Sequence, residues 1–187
     1  LRNWFEKADL LEPVYDLYFG TLYNPEMYVE HRFLSLVLAI ESYHRRTMNN
    51  FELPEEKHKN RIEEILNAVS NEQKNWLKNK LAYINEPNLR RRLKDILEKF
   101  ADVRDNFIPN KDSFINKVVT TRNYLTHYDE KLKGSSAEGM EIYNLMQKLK
   151  ILIEMCLLKE LGLTFEEIRS LISRNRRYKK QKIFMEV

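Results

Sequence analysis

The sequence predicts an all-α fold, and three observations carry that prediction. Glycine occurs 4 times and proline 5 times in 187 residues, too rarely for the turns of a β architecture. Apolar residues make up 43% and charged residues 32%, the balance of a helical bundle with a closed core and long solvated faces. No stretch alternates apolar and polar residues between turn signals. At this length the default is one domain, spanning 1–187.

Prolines and capping residues mark the elements in order. Helices are expected near 2–22, 25–49, 55–69, 71–84, 88–104, 111–128, 137–161 and 165–173. Pro13 interrupts or kinks the first. Asn24 followed by Pro25 gives the second a cap-then-proline start, and Pro54, Pro87 and Pro109 each precede a charged, helix-forming stretch. Ser70 with Gln73, and Thr164 with Glu167, have the spacing of capping boxes. Residues 52–105 carry 12 basic and 11 acidic side chains and read as a charged helical insertion of two or three surface helices. Within it, Arg90, Arg91 and Arg92 read as a solvated helix face. Lys133-Gly134-Ser135-Ser136 reads as a flexible loop, Trp4 and Trp76 as core anchors, and His31 and His58 as exposed.

Composition also excludes function classes. The mean hydropathy is -0.60 and no apolar run approaches 18 residues, so no membrane-spanning helix is expected. The single Cys156 lies in the apolar run 151–158. With no second cysteine it forms no internal disulfide and no structural zinc site, and it reads as a core thiol of a reducing compartment, the cytoplasm. No metal or cofactor is expected. The chain opens at Leu1 with neither initiator Met nor signal peptide, the expectation being a piece of a longer polypeptide whose N-terminal region is missing.

Positive charge is concentrated at one end. Between Arg169 and Lys182 lie seven basic residues and no acid, leaving 25 bases against 28 acids elsewhere. The segment 169–187 is therefore a basic tail, in which Arg174, Arg176, Arg177, Lys179 and Lys180 are candidate RNA contacts. A merely solvated tail is the alternative.

Two helices place polar residues among apolar ones. On a wheel with Phe114 at zero, Leu125, Val118, Ile115 and Val119 span an arc of about 20° to 140°. Arg122 falls inside that arc at about 80°, and Asn123 and His127 continue its edge. A guanidinium among apolar groups needs an anion. The helix at 25–49 offers Glu41, beside Leu34 and Leu38 and the only acid between Glu30 and Glu52. A Glu41–Arg122 pair would satisfy both, either as a structural ion pair or as part of a reactive site. His44 lies on the core stripe with Phe33, Val37 and Ile40 and reads first as a packing histidine.

The reactive alternative has a chemical logic. RNA carries its own nucleophile, the 2′-OH next to the scissile phosphate. Cleavage then needs a base, an acid and a cation: histidine serves as either of the first two, and arginine presents a fork of donors to phosphate. Arginine a few residues before histidine is common by chance, so the context has to supply the specificity. That context is Asn123 directly after Arg122, the apolar helix end, and Glu41.

The segment Thr121-Arg122-Asn123-Tyr124-Leu125-Thr126-His127 resembles the R-[polar]-x(3–5)-H motif of HEPN ribonucleases. The segment from Phe33 to Arg46 resembles the matching helix of the ApeA-type branch, found in C-terminal domains of bacterial anti-phage proteins. The resemblance covers roughly 25–160 and rests on these two segments, while the stretch 52–105 matches no named pattern. It implies a HEPN-type helical bundle, a homodimer with two motif helices facing across a cleft, and Arg122, His127 and Asn123 as the catalytic set, supported by Glu41 and His44. It implies metal-independent cleavage of RNA to a 2′,3′-cyclic phosphate and a 5′-hydroxyl, in phage defence. A non-catalytic HEPN dimer that binds protein or RNA is the alternative, and a nucleic-acid-binding bundle working through its basic tail is a third.

Overall fold

Helix α9 (Gly139–Glu160) is the apolar spine of the molecule, with eleven buried residues that include Leu149, Leu152, Ile153 and Cys156. The computed structural model describes residues 2–175, and every regular element among them is helical. In chain order the others are α1 (Arg2–Tyr23), α2 (Val29–Thr47), α3 (Glu55–Asn67), α4 (Asn71–Leu81), α5 (Leu89–Lys99) and α6 (Ala101–Arg104). They continue with α7 (Lys111–His127), the single turn α8 (Glu130–Lys133) and, after α9, α10 (Phe165–Arg174). Helix α2 packs between α1 and α9, while α5 lies against α2 and α7. Phe33, Ile40, Leu93, Phe100, Val118 and Leu149 meet in this core.

Polar groups inside the core are paired, as burial demands. The Tyr43 hydroxyl donates to Glu160 at 2.8 Å, Lys99 donates to the Tyr43 oxygen at 2.8 Å, and Lys7 meets the other Glu160 oxygen at 2.5 Å. Burial alone would raise the Glu160 carboxyl, but the hydrogen bonds from Lys7 and Tyr43 and the charge of Lys99 hold it below the ordinary carboxylate value. Burial pushes the Cys156 thiol up, so it is an inert core group.

Several elements differ from the sequence expectation. Pro13 lies inside α1 without ending it. A proline gives no N–H to the carbonyl four residues back, and here Arg46 Nη1 donates to Asp9 O at 3.4 Å and Leu10 O at 3.1 Å. The second helix begins at Val29 rather than Pro25, because Asn24 to Met27 form a turn whose carbonyls take up Arg32. Ser70 precedes α4 without a side-chain cap, whereas Thr164 and Glu167 form the full capping box of α10. The stretch 88–104 breaks at Phe100 into α5 and α6.

Only half of 52–105 is surface structure. Helices α3 and α4 pack on each other and bury no residue completely, as the charged texture suggests. Trp76 is exposed instead of anchoring a core, and His58 is half-buried in the groove between these two helices. Helix α5, by contrast, buries Leu89, Arg92, Leu93, Ile96 and Leu97. The loop after α8 is also tied down, since Ser136 and Ala137 are buried and Ala137 N–H donates to Thr121 Oγ1 at 2.9 Å.

Candidate functional site

The motif helix α7 starts at an Asn110 cap and buries Phe114, Ile115, Val118 and Thr121. Its burial lessens toward the C-terminus: Arg122, Asn123, Tyr124 and Leu125 are half-buried, and Thr126 and His127 are exposed. The helix ends on Tyr128 in the left-handed region at φ 51°, a conformation that costs a bulky residue of order 1–3 kcal/mol. The Tyr128 ring packs edge-on against Tyr124, at 5.8 Å between centroids. The imidazole of His127 thus stands in solvent on the last helical turn.

Arg122 and Glu41 do meet across α7 and α2. Arg122 Nη2 lies 3.7 Å from Glu41 Oε1, an ion pair just beyond hydrogen-bond length. Each side chain is 28% exposed, so the pair sits at the rim of the core, not inside it. The apolar arc drawn for α7 overstates its burial, which lessens over the last two turns. The Arg122 Nε is shielded from solvent and has no hydrogen-bond partner among the described residues. The guanidinium is therefore held by the charge of Glu41, not by a hydrogen bond.

His44 has the opposite surroundings. Its side chain is fully buried, with Nε2 at 3.0 Å from Asp95 Oδ2 and Nδ1 at 3.1 Å from Arg92 Nη1. A guanidinium only donates, so Nδ1 accepts and Nε2 carries the proton given to Asp95. The ring is consequently a neutral imidazole. Burial lowers its pKa below the ordinary histidine value, Arg92 adds to that, and the Asp95 hydrogen bond opposes it. Both nitrogens are committed, which makes His44 a packing residue and leaves it unable to serve a substrate.

Sequence reasoning missed the partners of His44. Arg92 is 2% exposed and its Nη2 lies 3.5 Å from Glu86, which also holds Arg45 at 2.8 Å. Asp95 takes Arg91 Nε at 2.8 Å on its second oxygen, and Arg90 bonds to Asn116 of α7. Of the three arginines only Arg92 is buried; Arg90 and Arg91 are exposed as expected, Arg91 pairing within α5 and Arg90 reaching Asn116. A helical signal was present: Arg92 shares the buried face of Leu89, Leu93 and Ile96.

The candidate cavities lie elsewhere. One of about 700 Å³ is lined by Phe51, Pro87, Arg91, Asp95 and Lys99, beside the His44 network. It includes neither Arg122 nor His127. Arg174 is exposed on the last turn of α10, while Arg176, Arg177, Lys179 and Lys180 lie outside the described residues. Among the described residues no helix is long and apolar enough to cross a membrane. No three His, Cys, Asp or Glu side chains among them converge as metal ligands.

Comparison with known proteins gives one result. A family model described as Apea-like HEPN matches residues 34–167, which takes in α2 through the start of α10. No curated protein and no solved structure matches significantly.

Proposed function

Since the chain belongs to the Apea-like HEPN family, we propose that it is a metal-independent endoribonuclease with Arg122, Asn123 and His127 as its catalytic residues. The observation that supports this most is the end of α7, where an exposed imidazole follows one turn after an arginine braced by Glu41. In the proposed reaction the 2′-oxygen of RNA forms a bond to the adjacent phosphorus. The P–O5′ bond breaks, the 2′ proton passes to a base, and the 5′-oxygen receives a proton from an acid. Products are a 2′,3′-cyclic phosphate and a 5′-hydroxyl. Arg122 offsets the charge that develops on the phosphoryl oxygens, and Asn123 orients them.

One protomer offers one exposed imidazole at this site, whereas the reaction uses a base and an acid. A two-fold axis beside the ends of two α7 helices would supply both histidines and an Arg122 from each side. We therefore assign a homodimer with the site on its axis, acting on RNA in the bacterial cytoplasm as part of phage defence. The basic residues between Arg169 and Lys182 would add affinity for RNA through charge alone, a contribution that fades as salt rises.

The test is RNA incubated in EDTA with wild type and with His127→Ala. Cleavage by wild type, loss in the variant and survival of DNA of the same sequence are expected. DNA cleaved at a similar rate would sink the mechanism. RNA bound but never cut would favour the non-catalytic alternative. Full activity at concentrations where sedimentation detects only monomer would overturn the two-fold site.

A further inference from the structure

Lys148, in the first half of α9, is a half-buried cation for which the described residues supply no partner. Burial holds its ammonium below the ordinary lysine value, and neither a neighbouring charge nor a hydrogen bond opposes that shift. Lys99, Lys111 and Lys117 are also half-buried, yet each of them meets a carboxylate. A charge partly withdrawn from water is costly without an anion, and Lys148 leaves that demand open.

The lysine lines a cavity of about 230 Å³ between the start of α7 and the first turns of α9. Glu141, Asn144, Leu145 and Lys148 recur at three- and four-residue spacing, so they share one face of α9. Helix α7 contributes Ser113, Phe114 and Lys117 to the same cavity. Among the described residues Glu141 is the only acid on the lining, and Lys117 takes it at 2.9 Å. The excess charge is therefore positive and belongs to Lys148. Asn144 adds an amide donor and Ser113 a hydroxyl, while Phe114 and Leu145 are buried and give an apolar wall. Ser113 lies 14 residues before His127, about 21 Å along the helix, so this cavity is separate from the proposed reactive site.

We infer that this cavity binds a small organic anion, with the oxyanion on Lys148 and Asn144 and the apolar body against Phe114 and Leu145. The volume sets the size. Sites for drug-sized molecules run from about 300 to 1,000 Å³, so 230 Å³ suits a ring or short chain bearing one phosphate or carboxylate. A molecule held there touches both helices and joins the start of α7 to the spine of the bundle. Nothing in this site depends on the chemistry proposed at His127.

Isothermal titration calorimetry on the full chain at low salt tests this, with phenyl phosphate and benzoate as probes. One or both should bind at one site per chain, and the tighter of the two identifies the head group. Benzyl alcohol has the ring without the charge, inorganic phosphate the charge without the ring, and each should bind about tenfold more weakly or worse. Lys148→Met keeps the stem and removes the charge. It should weaken binding about 10- to 100-fold, while Lys148→Arg should retain most of it. Since Lys148→Met withdraws an unpaired charge, the free variant should melt no lower than wild type, showing an intact fold. The tighter probe should raise the thermal midpoint of wild type and leave that of Lys148→Met unchanged. Failure of both probes to bind would overturn the site, as would equal binding by Lys148→Met. Benzyl alcohol bound as tightly as the charged probes would reduce the cavity to an apolar cleft and overturn the anion. The His127→Ala protein should bind the probes as wild type does, which separates this result from that of the nuclease test.

Discussion

His44 and His127 each sit in the last turn of a helix, yet the fold treats them in opposite ways. His44 is sealed in the core, with Arg92 on one nitrogen and Asp95 on the other. His127 is exposed and has no hydrogen-bond partner among the described residues. A ring with both nitrogens bonded can only hold structure together, while one with both open can exchange protons with a ligand. The difference arises from the neighbours supplied: Arg92 and Asp95 of α5 enclose the His44 ring, whereas none of the described residues hydrogen-bonds His127.

Substitutions sharpen this contrast, and the largest effect belongs to the proposed reaction. His127→Ala should lower RNA cleavage by about 10²–10⁴-fold, the usual contribution of a general acid or base, with folding changed by less than ~0.5 kcal/mol. A collapse of stability measured by urea unfolding would break the comparison at its exposed end. Arg92→Ala should cost about 3–5 kcal/mol, because Glu86 and His44 lose a buried charged partner. Its cleavage rate per folded molecule should change far less. His44→Ala should cost roughly 1–3 kcal/mol, leaving Arg92 and Asp95 each one bond short. A His44→Ala enzyme that folds normally but is inactive would show that the buried ring has a reactive role after all.

Smaller effects follow from pH and from the rim ion pair. Because burial lowers the pKa of His44 in the folded chain, the unfolded chain binds its proton first. That contribution to stability is full above the ordinary histidine value of 6.5 and is lost as pH falls below it. The thermal midpoint should therefore drop between pH 7 and pH 5, and a flat profile in calorimetry would contradict the neutral assignment. Glu41→Ala should destabilise by no more than ~1 kcal/mol, since a partly solvated pair at 3.7 Å is screened. The sequence reading placed Arg122 within the apolar arc of α7, a deeper position than the rim it occupies.

What was legible in the sequence was whatever depends on local spacing. The helices of the bundle, the Thr164–Glu167 box, the buried Cys156 and the meeting of Glu41 with Arg122 follow from periodicity and from one charge needing another. Less legible were features set by a distant partner. Pro13 stays within α1 because Arg46, from another helix, supplies donors to carbonyls near the interruption. Arg92 looked solvated among two other arginines although it shares the buried face of Leu89, Leu93 and Ile96, and the partners that hold it there, His44 and Glu86, lie outside its helix. Trp76 looked like an anchor because its type is apolar, yet its hairpin leaves the bundle.

The Asn85 amide clasps the Leu53 backbone through two bonds of 3.0 Å, which gives that hairpin a modular character. Glu52 and Asn85 face each other across a single backbone hydrogen bond, so the chain leaves the bundle and returns at almost the same point. Such an arrangement admits insertion or excision with little disturbance elsewhere, since a tight turn could join the two ends and a shorter loop is cheaper to close. Helix α5 would still begin at its own Asn88 cap and keep its buried face. The segment 53–84 is thus joined to the bundle at one point, and a change in its length need not disturb the helices beneath it.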